Sequence, residues 1–363
     1  MNNRLTRMEA EALMTRPGQY HKWTYENGIA CRALLMAADA LNDSDIRDRV
    51  VRFTNTWVMK DGSIPTYPAE TCNMDMLCYG AVLPGLYRLT GDERYKKAAL
   101  MLLKQLDIQP VTPEGGFWHK QIYPNQMWLD GIYMGCPFTV MMADLTGRSE
   151  LYDLAAKQMT LCFEKTFDPE TGLCRHAWDS SHEQHWSDPE TGRSPHVWGR
   201  AMGWFMAAHA DVLELLPKDH PARETLSNQM RILAKGLLRW QREGLWYQVV
   251  TLPEKEGNYK ESSCSSMFAY ALMKGFRLGV LDEAAGKAGE EALDALIREK
   301  VTYGADDLPV LHDVCRVAGL GGAPYGDAAY RDGSYEYYIH EQICDDDYKG
   351  SAPFLMALAI RGI

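Results

Sequence analysis

The sequence has no long apolar run, and this absence limits what the protein can be. No stretch of its 363 residues approaches the ~20 apolar residues that a membrane-spanning helix needs. Residues 1–20, MNNRLTRMEAEALMTRPGQY, contain no apolar segment of signal-peptide length. The nine cysteines are an odd number and include no C-x-x-C pair, which is typical of reduced thiols. We therefore expect a cytoplasmic protein with no membrane partner.

Positive charge is also scarce. The chain has 38 Lys and Arg against 49 Asp and Glu, which gives a formal net charge of −11. Nucleic acids and anionic membrane surfaces are bound mainly through Lys and Arg, so we expect neither as a partner. A few local cations can still govern one pocket, and the overall charge therefore does not exclude a small anionic substrate.

Motifs for metals, dinucleotides and serine nucleophiles are missing as well. His182 and His185 lie in SSHEQHWSD, which is not H-E-x-x-H and whose Ser, Asp and Pro neighbours predict a loop. The glycine-rich GLGGAP (319–324) has no preceding strand of a βαβ unit, and no G-x-S-x-G elbow occurs. We therefore predict no metal site and no cofactor.

Aromatic residues, in contrast, are abundant. The chain contains 10 Trp and 19 Tyr, and several of them adjoin Gly, Asp, Arg or His. Flat rings suit a wide cleft that stacks sugars, whereas plain core packing explains any single ring equally well.

A weak internal repeat indicates the fold. Segments 85–106 and 141–162 align on Leu-Thr-Gly, followed four residues after the glycine by Tyr. Gly91 and Gly147 are predicted to end one helix and start the next, because glycine supplies the left-handed residue that stops a helix. Repeats of about 50 residues that cannot bury a face alone imply a stacked array.

Apolar periodicity predicts eleven helices, and residues 3–15 are a plausible twelfth that pairs with the last one. The eleven lie at about 24–41, 44–60, 74–90, 92–106, 131–146, 149–165, 199–216, 221–241, 263–279, 282–299 and 349–360. Six hairpins that close on themselves make an (α/α)6 barrel. We therefore predict an all-α fold, one barrel domain over 1–363, with short β elements in the loops at one mouth. Gly116, Gly172 and Gly244 are predicted to open such elements.

In this topology the inner helices begin at one mouth of the barrel, and their beginnings mix aromatic, charged and small residues. They read WTYENG (23–28), CNMDMLCYG (72–80), MWLDGIYMG (127–135), VWGRAMGW (197–204), YKESSCSSM (259–267) and DYKGSAP (347–353). Asp75 and Asp130 lie there inside otherwise apolar segments. Helix capping would explain each aspartate. So would a catalytic pair in which one carboxyl donates a proton while the other stays ionised.

Three further residues are candidates for the same mouth. His119 and His176 each lie four residues after a glycine of the repeat, although a single His is often purely structural. Arg200 lies between Trp198 and Trp204, which suits a carboxylate clamp with stacking walls. An exposed helical Arg packed on Trp would show the same pattern.

Long, ordered motifs give the chain a family resemblance from about Trp23 to the C-terminus. They are WLDGIYMG, WGRAMGW, YKESSCSSMFAYALMKG and GLGGAPY…RDGSYEYYI…DYKGSAPFLMA. With them the chain resembles the unsaturated rhamnogalacturonyl hydrolases of glycoside hydrolase family 105. The resemblance implies an (α/α)6 barrel, in agreement with the helix count, and a small unsaturated oligosaccharide as substrate.

The resemblance also implies a reaction and its residues. A lyase leaves a C4=C5 unsaturated uronate at the non-reducing end, and the enzyme hydrates this double bond so that the neighbouring sugar, typically rhamnose, is released. Asp130 matches the general acid and base, and Asp75 matches an aspartate that holds a substrate hydroxyl and tunes Asp130. The residues that match sugar-contacting positions are Tyr25, His119, Trp128, His176, Trp198, Arg200 and Trp204.

One departure and several alternatives stay open. The family often has Gly-Asn where this chain has Ala201-Met202, so the leaving sugar is uncertain. Unsaturated glucuronyl hydrolases, which act on glycosaminoglycan fragments, share fold and mechanism. An inverting glycosidase, a sugar 2-epimerase that uses His119 and His176, and a non-catalytic sugar-binding module are the other readings. We expect a monomer or a weak homodimer.

Overall fold

A computed structural model of the chain describes residues 2–16, 22–322 and 330–362. The α-helices are α1 Asn2–Thr15, α2 Tyr25–Leu41, α3 Ser44–Thr54, α4 Asp75–Cys78, α5 Leu83–Thr90, α6 Glu93–Leu103, α7 Gln105–Ile108, α8 Leu129–Thr146, α9 Glu150–Thr166, α10 Gly199–Leu215, α11 Ala222–Trp240, α12 Ser262–Arg277, α13 Glu283–Glu299, α14 Tyr335–Ile339 and α15 Tyr348–Gly362. The strands are β1 Gln126–Trp128, β2 Phe167–Asp168, β3 Leu173–Cys174, β4 Ala177–Asp179, β5 Val301–Tyr303, β6 Pro309–Leu311, β7 Val314–Cys315 and β8 Ile343–Cys344.

Six inner helical segments form a closed ring. α2 packs against the segment that contains α4, and that segment packs against α8; α8 then contacts α10, α10 contacts α12, α12 contacts α15, and α15 returns to α2. Each inner segment also packs against an outer helix, in the pairs α2–α3, α5–α6, α8–α9, α10–α11, α12–α13 and α15–α1. The predicted (α/α)6 barrel is confirmed, including the closure of the circle by the N-terminal helix.

Burial distinguishes the two rings. In α10 every residue from Gly199 to Leu213 is buried, because an inner helix has neighbours on both sides. In α13 the buried residues recur at intervals of one to three, and the other face carries Glu and Lys. This contrast is the amphipathic pattern expected of outer helices.

Several predicted helix bounds were wrong. The predicted helix 74–90 is divided into α4, a 3-10 turn at Tyr79–Val82 and α5. Pro84 lies in the first turn of α5, where its missing N–H and its ring interrupt a continuous ladder of hydrogen bonds. The helix predicted over 44–60 ends at Thr54, the one predicted over 92–106 is divided after Leu103, and α14 was not predicted.

The short β elements are smaller than expected. β3 follows Gly172 and pairs with β2. Among the described residues, the segment after Gly116 makes isolated bridges at Phe117 and Lys120, and the segment after Gly244 makes them at Leu245 and Tyr247. A further pair, β1 with β4, leads directly into α8 at the mouth. None of the helices within the described residues is both long and apolar enough to cross a bilayer.

Candidate active site

A cavity of about 410 Å³ opens where the inner helices begin. Eight of the nine predicted site residues line it: Tyr25, Asp75, His119, Trp128, Asp130, Trp198, Arg200 and Trp204. The ninth, His176, lies behind the wall. Residues that sequence reasoning missed also line the cavity, among them Lys22, Glu26, Lys120, Tyr123 and Arg331.

Asp75 begins α4, but its side chain does not cap that helix. One carboxylate oxygen lies 2.6 Å from Lys120 Nζ, and the other lies 3.6 Å from His119 Nε2. Burial raises the pKa of Asp75, but the neighbouring Lys120, with a smaller contribution from His119, outweighs burial and holds the pKa below its usual value. Burial in turn lowers the pKa of His119 to about 4, so the ring is neutral at pH 7. Lys120 is therefore the cation that keeps Asp75 ionised.

Asp130 is the second residue of α8, and it does not cap the helix either, because Trp128 is at the N-cap without a side-chain bond. Within the described parts of the chain, its Oδ2 is buried and has no hydrogen-bond partner. His176 Nε2 lies 3.3 Å from this oxygen, outside good hydrogen-bond geometry. Capping therefore does not account for this aspartate, and one of its oxygens is unsatisfied.

Aromatic rings form two walls beside these carboxylates. Trp128 stacks on His119 with ring centroids 4.7 Å apart, and it also stacks on Tyr123 at 4.8 Å. On another side of the cavity Trp204 packs against Tyr133 at 4.7 Å. Flat, rigid faces of this kind suit a sugar ring.

Arg200 is nearly fully buried, and most of its hydrogen-bonding capacity is used by the protein itself. Its Nε donates to Ser263 Oγ at 2.8 Å, and its Nη2 donates to the carbonyl of Cys315. Nη2 also lies 3.6 Å from Glu261, a buried carboxylate. The guanidinium borders the cavity beside Trp198 but shares its charge with Glu261, which a simple carboxylate clamp would not do.

His176 is placed differently from the expectation that it contacts the sugar. It is fully buried between Trp198 and Trp128, and its Nδ1 lies 2.7 Å from the hydroxyl of Tyr338. Its contact toward the cavity is with Asp130. His176 therefore contacts residues that line the cavity, namely Asp130, Trp128 and Trp198, and does not line it itself.

The missed residues had signals in the sequence. Lys120 directly follows His119 in the repeated GFWHK element. Arg331 and Tyr338 belong to RDGSYEYYI, a motif that carries the family resemblance but whose residues were not assigned individually. Part of the same motif, at 323–325, lies outside the described residues. Within the described ranges no three His, Cys, Asp or Glu side chains are grouped to hold a metal ion.

Comparisons with known proteins agree with this architecture. The family model described as Glycosyl Hydrolase Family 88 matches residues 1–361. A solved structure of a family 105 glycoside hydrolase from C. acetobutylicum ATCC 824 is 39% identical, with a TM-score of 0.94 and 98% of each chain covered.

Two curated relatives are more distant or shorter. Unsaturated rhamnogalacturonyl hydrolase YesR of Bacillus subtilis is 27% identical over 266 residues, which cover 70% of this chain and 72% of YesR. Protein Atu3128 of Agrobacterium fabrum is 40% identical over 230 residues, which cover 62% of this chain and 97% of that protein. With its closed ring of hairpins and its match over nearly the whole length, the chain belongs to the glycoside hydrolases of families 88 and 105.

Proposed function

We propose that the protein removes the C4=C5 unsaturated uronate from the non-reducing end of small, lyase-generated rhamnogalacturonan oligosaccharides. YesR, which is named for this activity, supports the substrate class. One observation carries the chemistry: the Asp130 carboxyl lines an aromatic cavity with one oxygen unsatisfied. A group that must first give and then take a proton has to be reachable and must not be locked in an ion pair.

In the proposed reaction Asp130 protonates C4, and positive charge develops at C5 and the ring oxygen. The carboxylate that remains takes a proton from water as the water oxygen bonds to C5. The resulting hemiketal opens and releases the neighbouring sugar. Protons balance over the cycle, and Asp130 ends as it began. Asp75 suits the other role, because the ion pair with Lys120 keeps it ionised and able to accept a hydrogen bond from a sugar hydroxyl.

A direct assay tests the substrate class. The conjugated enoate absorbs in the ultraviolet, and hydration removes that absorbance. We expect loss of the signal with lyase-digested rhamnogalacturonan and little loss with lyase-digested hyaluronan or chondroitin. The reverse preference would assign the protein to the glucuronyl hydrolases, and an unchanged signal with every digest would rule out the proposed reaction.

Variants test the assigned roles. We expect Asp130→Asn to remove turnover, by about 10³-fold or more, because the amide can neither give nor take the proton. Asp75→Asn is expected to reduce kcat/KM by about 100-fold, equivalent to about 2.7 kcal/mol of transition-state stabilisation. Asp92→Asn is the matched control, since Asp92 caps α6 away from the cavity and Asn caps equally well. An Asp130→Asn protein that keeps its activity would refute the assignment.

A further inference from the structure

The short helix α14 places one side chain beneath the candidate acid. Tyr338 is fully buried, and its hydroxyl lies 2.7 Å from His176 Nδ1. On the opposite edge of the same ring, His176 Nε2 lies 3.3 Å from Asp130 Oδ2. Three side chains from α14, from the turn between β3 and β4, and from α8 therefore form a continuous line that ends at the cavity.

In the hydrogen bond between Tyr338 and His176, the donor can be assigned because the buried Tyr338 hydroxyl needs an acceptor. Within the described residues, Tyr338 Oη has no hydrogen-bond partner other than His176 Nδ1. A buried O–H that is left without an acceptor costs about 1–3 kcal/mol, so the phenol is expected to donate to Nδ1. In a neutral imidazole whose Nδ1 accepts, the proton is on Nε2. Nε2 is the ring nitrogen that lies 3.3 Å from Asp130 Oδ2.

We propose, on the basis of the proposed function, that Tyr338 is a positioning residue that fixes His176 in the tautomer whose Nε2–H donates to the Asp130 carboxylate. The donation matters after Asp130 has given its proton to C4, when the carboxylate has no other described partner for its buried Oδ2 and must then take a proton from water. The 3.3 Å contact is long and poorly aligned, as catalytic hydrogen bonds often are without substrate, and it is expected to tighten as charge develops.

The surroundings hold Tyr338 in place. Gln248 Nε2 donates to the Tyr338 carbonyl at 3.0 Å, and Gln248 Oε1 accepts from Trp198 Nε1 at 3.1 Å. The Tyr338 ring also stacks on Trp198 with centroids 6.0 Å apart and planes 18° apart. A wall of the sugar cavity and the hydroxyl that sets the tautomer are therefore parts of one rigid unit.

Other titratable groups also face this pair. His119 and Cys162 interact with Asp130, and Asp75, which pairs with Lys120, lies beside His119. Tyr337, Asp332 and Cys315 interact with Tyr338. Burial lowers the pKa of His119 to about 4 and raises the pKa of Cys162, so both are neutral near pH 7. A change in the pH profile on loss of the tyrosine hydroxyl therefore reports on Asp130 and His176.

The test compares Tyr338→Phe with Tyr335→Phe on the unsaturated oligosaccharide. Tyr335 is the matched control, because it is in the same helix and its hydroxyl donates to the backbone carbonyls of Lys255 and Glu256. For Tyr338→Phe we expect kcat to fall about 10- to 100-fold, as for other residues that orient a catalytic ligand, with KM within about twofold. The kcat/KM profile should move along the pH axis, whereas the control should match wild type in both respects.

A second measurement separates this inference from the proposed function. The ¹⁵N shifts of the His176 ring, assigned with His176→Gln, report the tautomer without any substrate. We expect Nε2–H in the wild type and a mixed or opposite tautomer in Tyr338→Phe. An inactive wild type with that shift pattern would sink the proposed function alone. A wild type in the Nδ1–H form, or a folded Tyr338→Phe with wild-type kcat and pH profile, would overturn the tautomer inference.

Discussion

Two buried aspartates on inner helices, Asp130 and Asp211, have opposite surroundings. Asp211 is near the end of α10, away from the mouth; its Oδ1 accepts from the Tyr270 hydroxyl at 2.5 Å and from Lys274 Nζ at 2.7 Å. Arg32 Nη2 lies 2.8 Å from its other oxygen. We call Arg32, Asp211, Tyr270 and Lys274 the inner ion cluster. At the mouth, the contact of Asp130 with His176 is poorly aligned, and no other described residue bonds its Oδ2.

The contrast separates a carboxylate held in ion pairs from the carboxyl that we propose as the general acid and base. Burial raises the pKa of Asp211, but the opposing effect of Arg32 and Lys274 is larger and keeps the pKa below its usual value. A carboxylate that is held by two cations stays ionised near neutral pH and is not available for proton transfer. Through Arg32 and Lys274, Asp211 links α10 to α2 and α12. Asp75, with one cation, is intermediate. The number of cations that contact a carboxylate thus distinguishes its roles within one barrel.

The largest expected effect is a loss of folding stability when Asp211 is replaced. Asp211→Asn removes the buried anion that Arg32 and Lys274 share, and Lys274 keeps only its contact with the half-exposed Glu214 among the described carboxylates. Removing one partner of a buried ion pair typically costs about 3–5 kcal/mol. We expect a loss of this size in the free energy of unfolding, measured by urea denaturation at pH 7. The kcat/KM per folded molecule should stay within a few-fold of wild type, because the cluster does not line the cavity.

Glu214→Gln is the matched control for that variant. Glu214 contacts the same Lys274 Nζ at 2.7 Å, but its side chain is half exposed. Exposed ion pairs contribute about 0–1 kcal/mol, so this change should alter stability little. An Asp211→Asn protein that is stable but inactive would contradict the distinction between a stabilising role for Asp211 and a catalytic role for Asp130.

A smaller effect concerns the neutral ring beside Asp75. The pKa of His119 is lowered to about 4 from an ordinary 6.5, mainly by burial. Below pH 6.5 the unfolded chain binds a proton that the folded chain does not, so stability is full above pH 6.5 and is lost as the pH falls toward 4. Over this range the loss amounts to about 3 kcal/mol for this group.

Urea unfolding between pH 7 and 4.5 measures this slope, and we expect His119→Gln to flatten it. His196 and His209 also have lowered pKa values, so the difference between variant and wild type is the relevant quantity. If His119→Gln left the pH dependence of the unfolding free energy as it is in wild type, His119 would be charged in the folded protein. It would then share with Lys120 the task of keeping Asp75 ionised, and the mouth would resemble the inner ion cluster more closely.

Much of this contrast could be read from the sequence, because its causes are local. The Leu-Thr-Gly repeat and the apolar periodicity predict which helices pair, since each hairpin is continuous in the chain. The mixed helix beginnings predict that Asp75 and Asp130 share a mouth. The break within 74–90 was missed although Pro84 is its local cause, because apolar periodicity continues through it.

The partners of these residues could not be predicted, because they come from distant segments. Tyr338 and His176 are 162 positions apart, and Arg200 meets Cys315 across 115 positions. No period in the sequence relates such pairs; the closure of the ring brings them together. Whether a carboxylate is paired with cations, as Asp211 is, or has an oxygen without a hydrogen bond, as Asp130 has, therefore appears only in the folded structure.

The smallest expected effect concerns the cations at the mouth. Arg331 lines the cavity, and within the described residues no carboxylate pairs with it, whereas Arg200 shares its charge with Glu261. We expect Arg331→Gln to raise KM for the unsaturated uronate about tenfold with little change in kcat, equivalent to about 1.4 kcal/mol of binding. Arg316→Gln, which removes an exposed charge bonded to Gln342, should leave KM nearly unchanged.

The methyl ester of the substrate sharpens this last test. If Arg331 binds the uronate carboxylate, the wild type should bind the ester more weakly, and Arg331→Gln should lose little more with it. A penalty that is equal for acid and ester would place the guanidinium on another part of the sugar. Arg200 would then be the residue that binds the carboxylate, although it already contacts Glu261. In that case the number of oppositely charged partners would predict which carboxyl transfers a proton at this mouth, but not which arginine binds the anion.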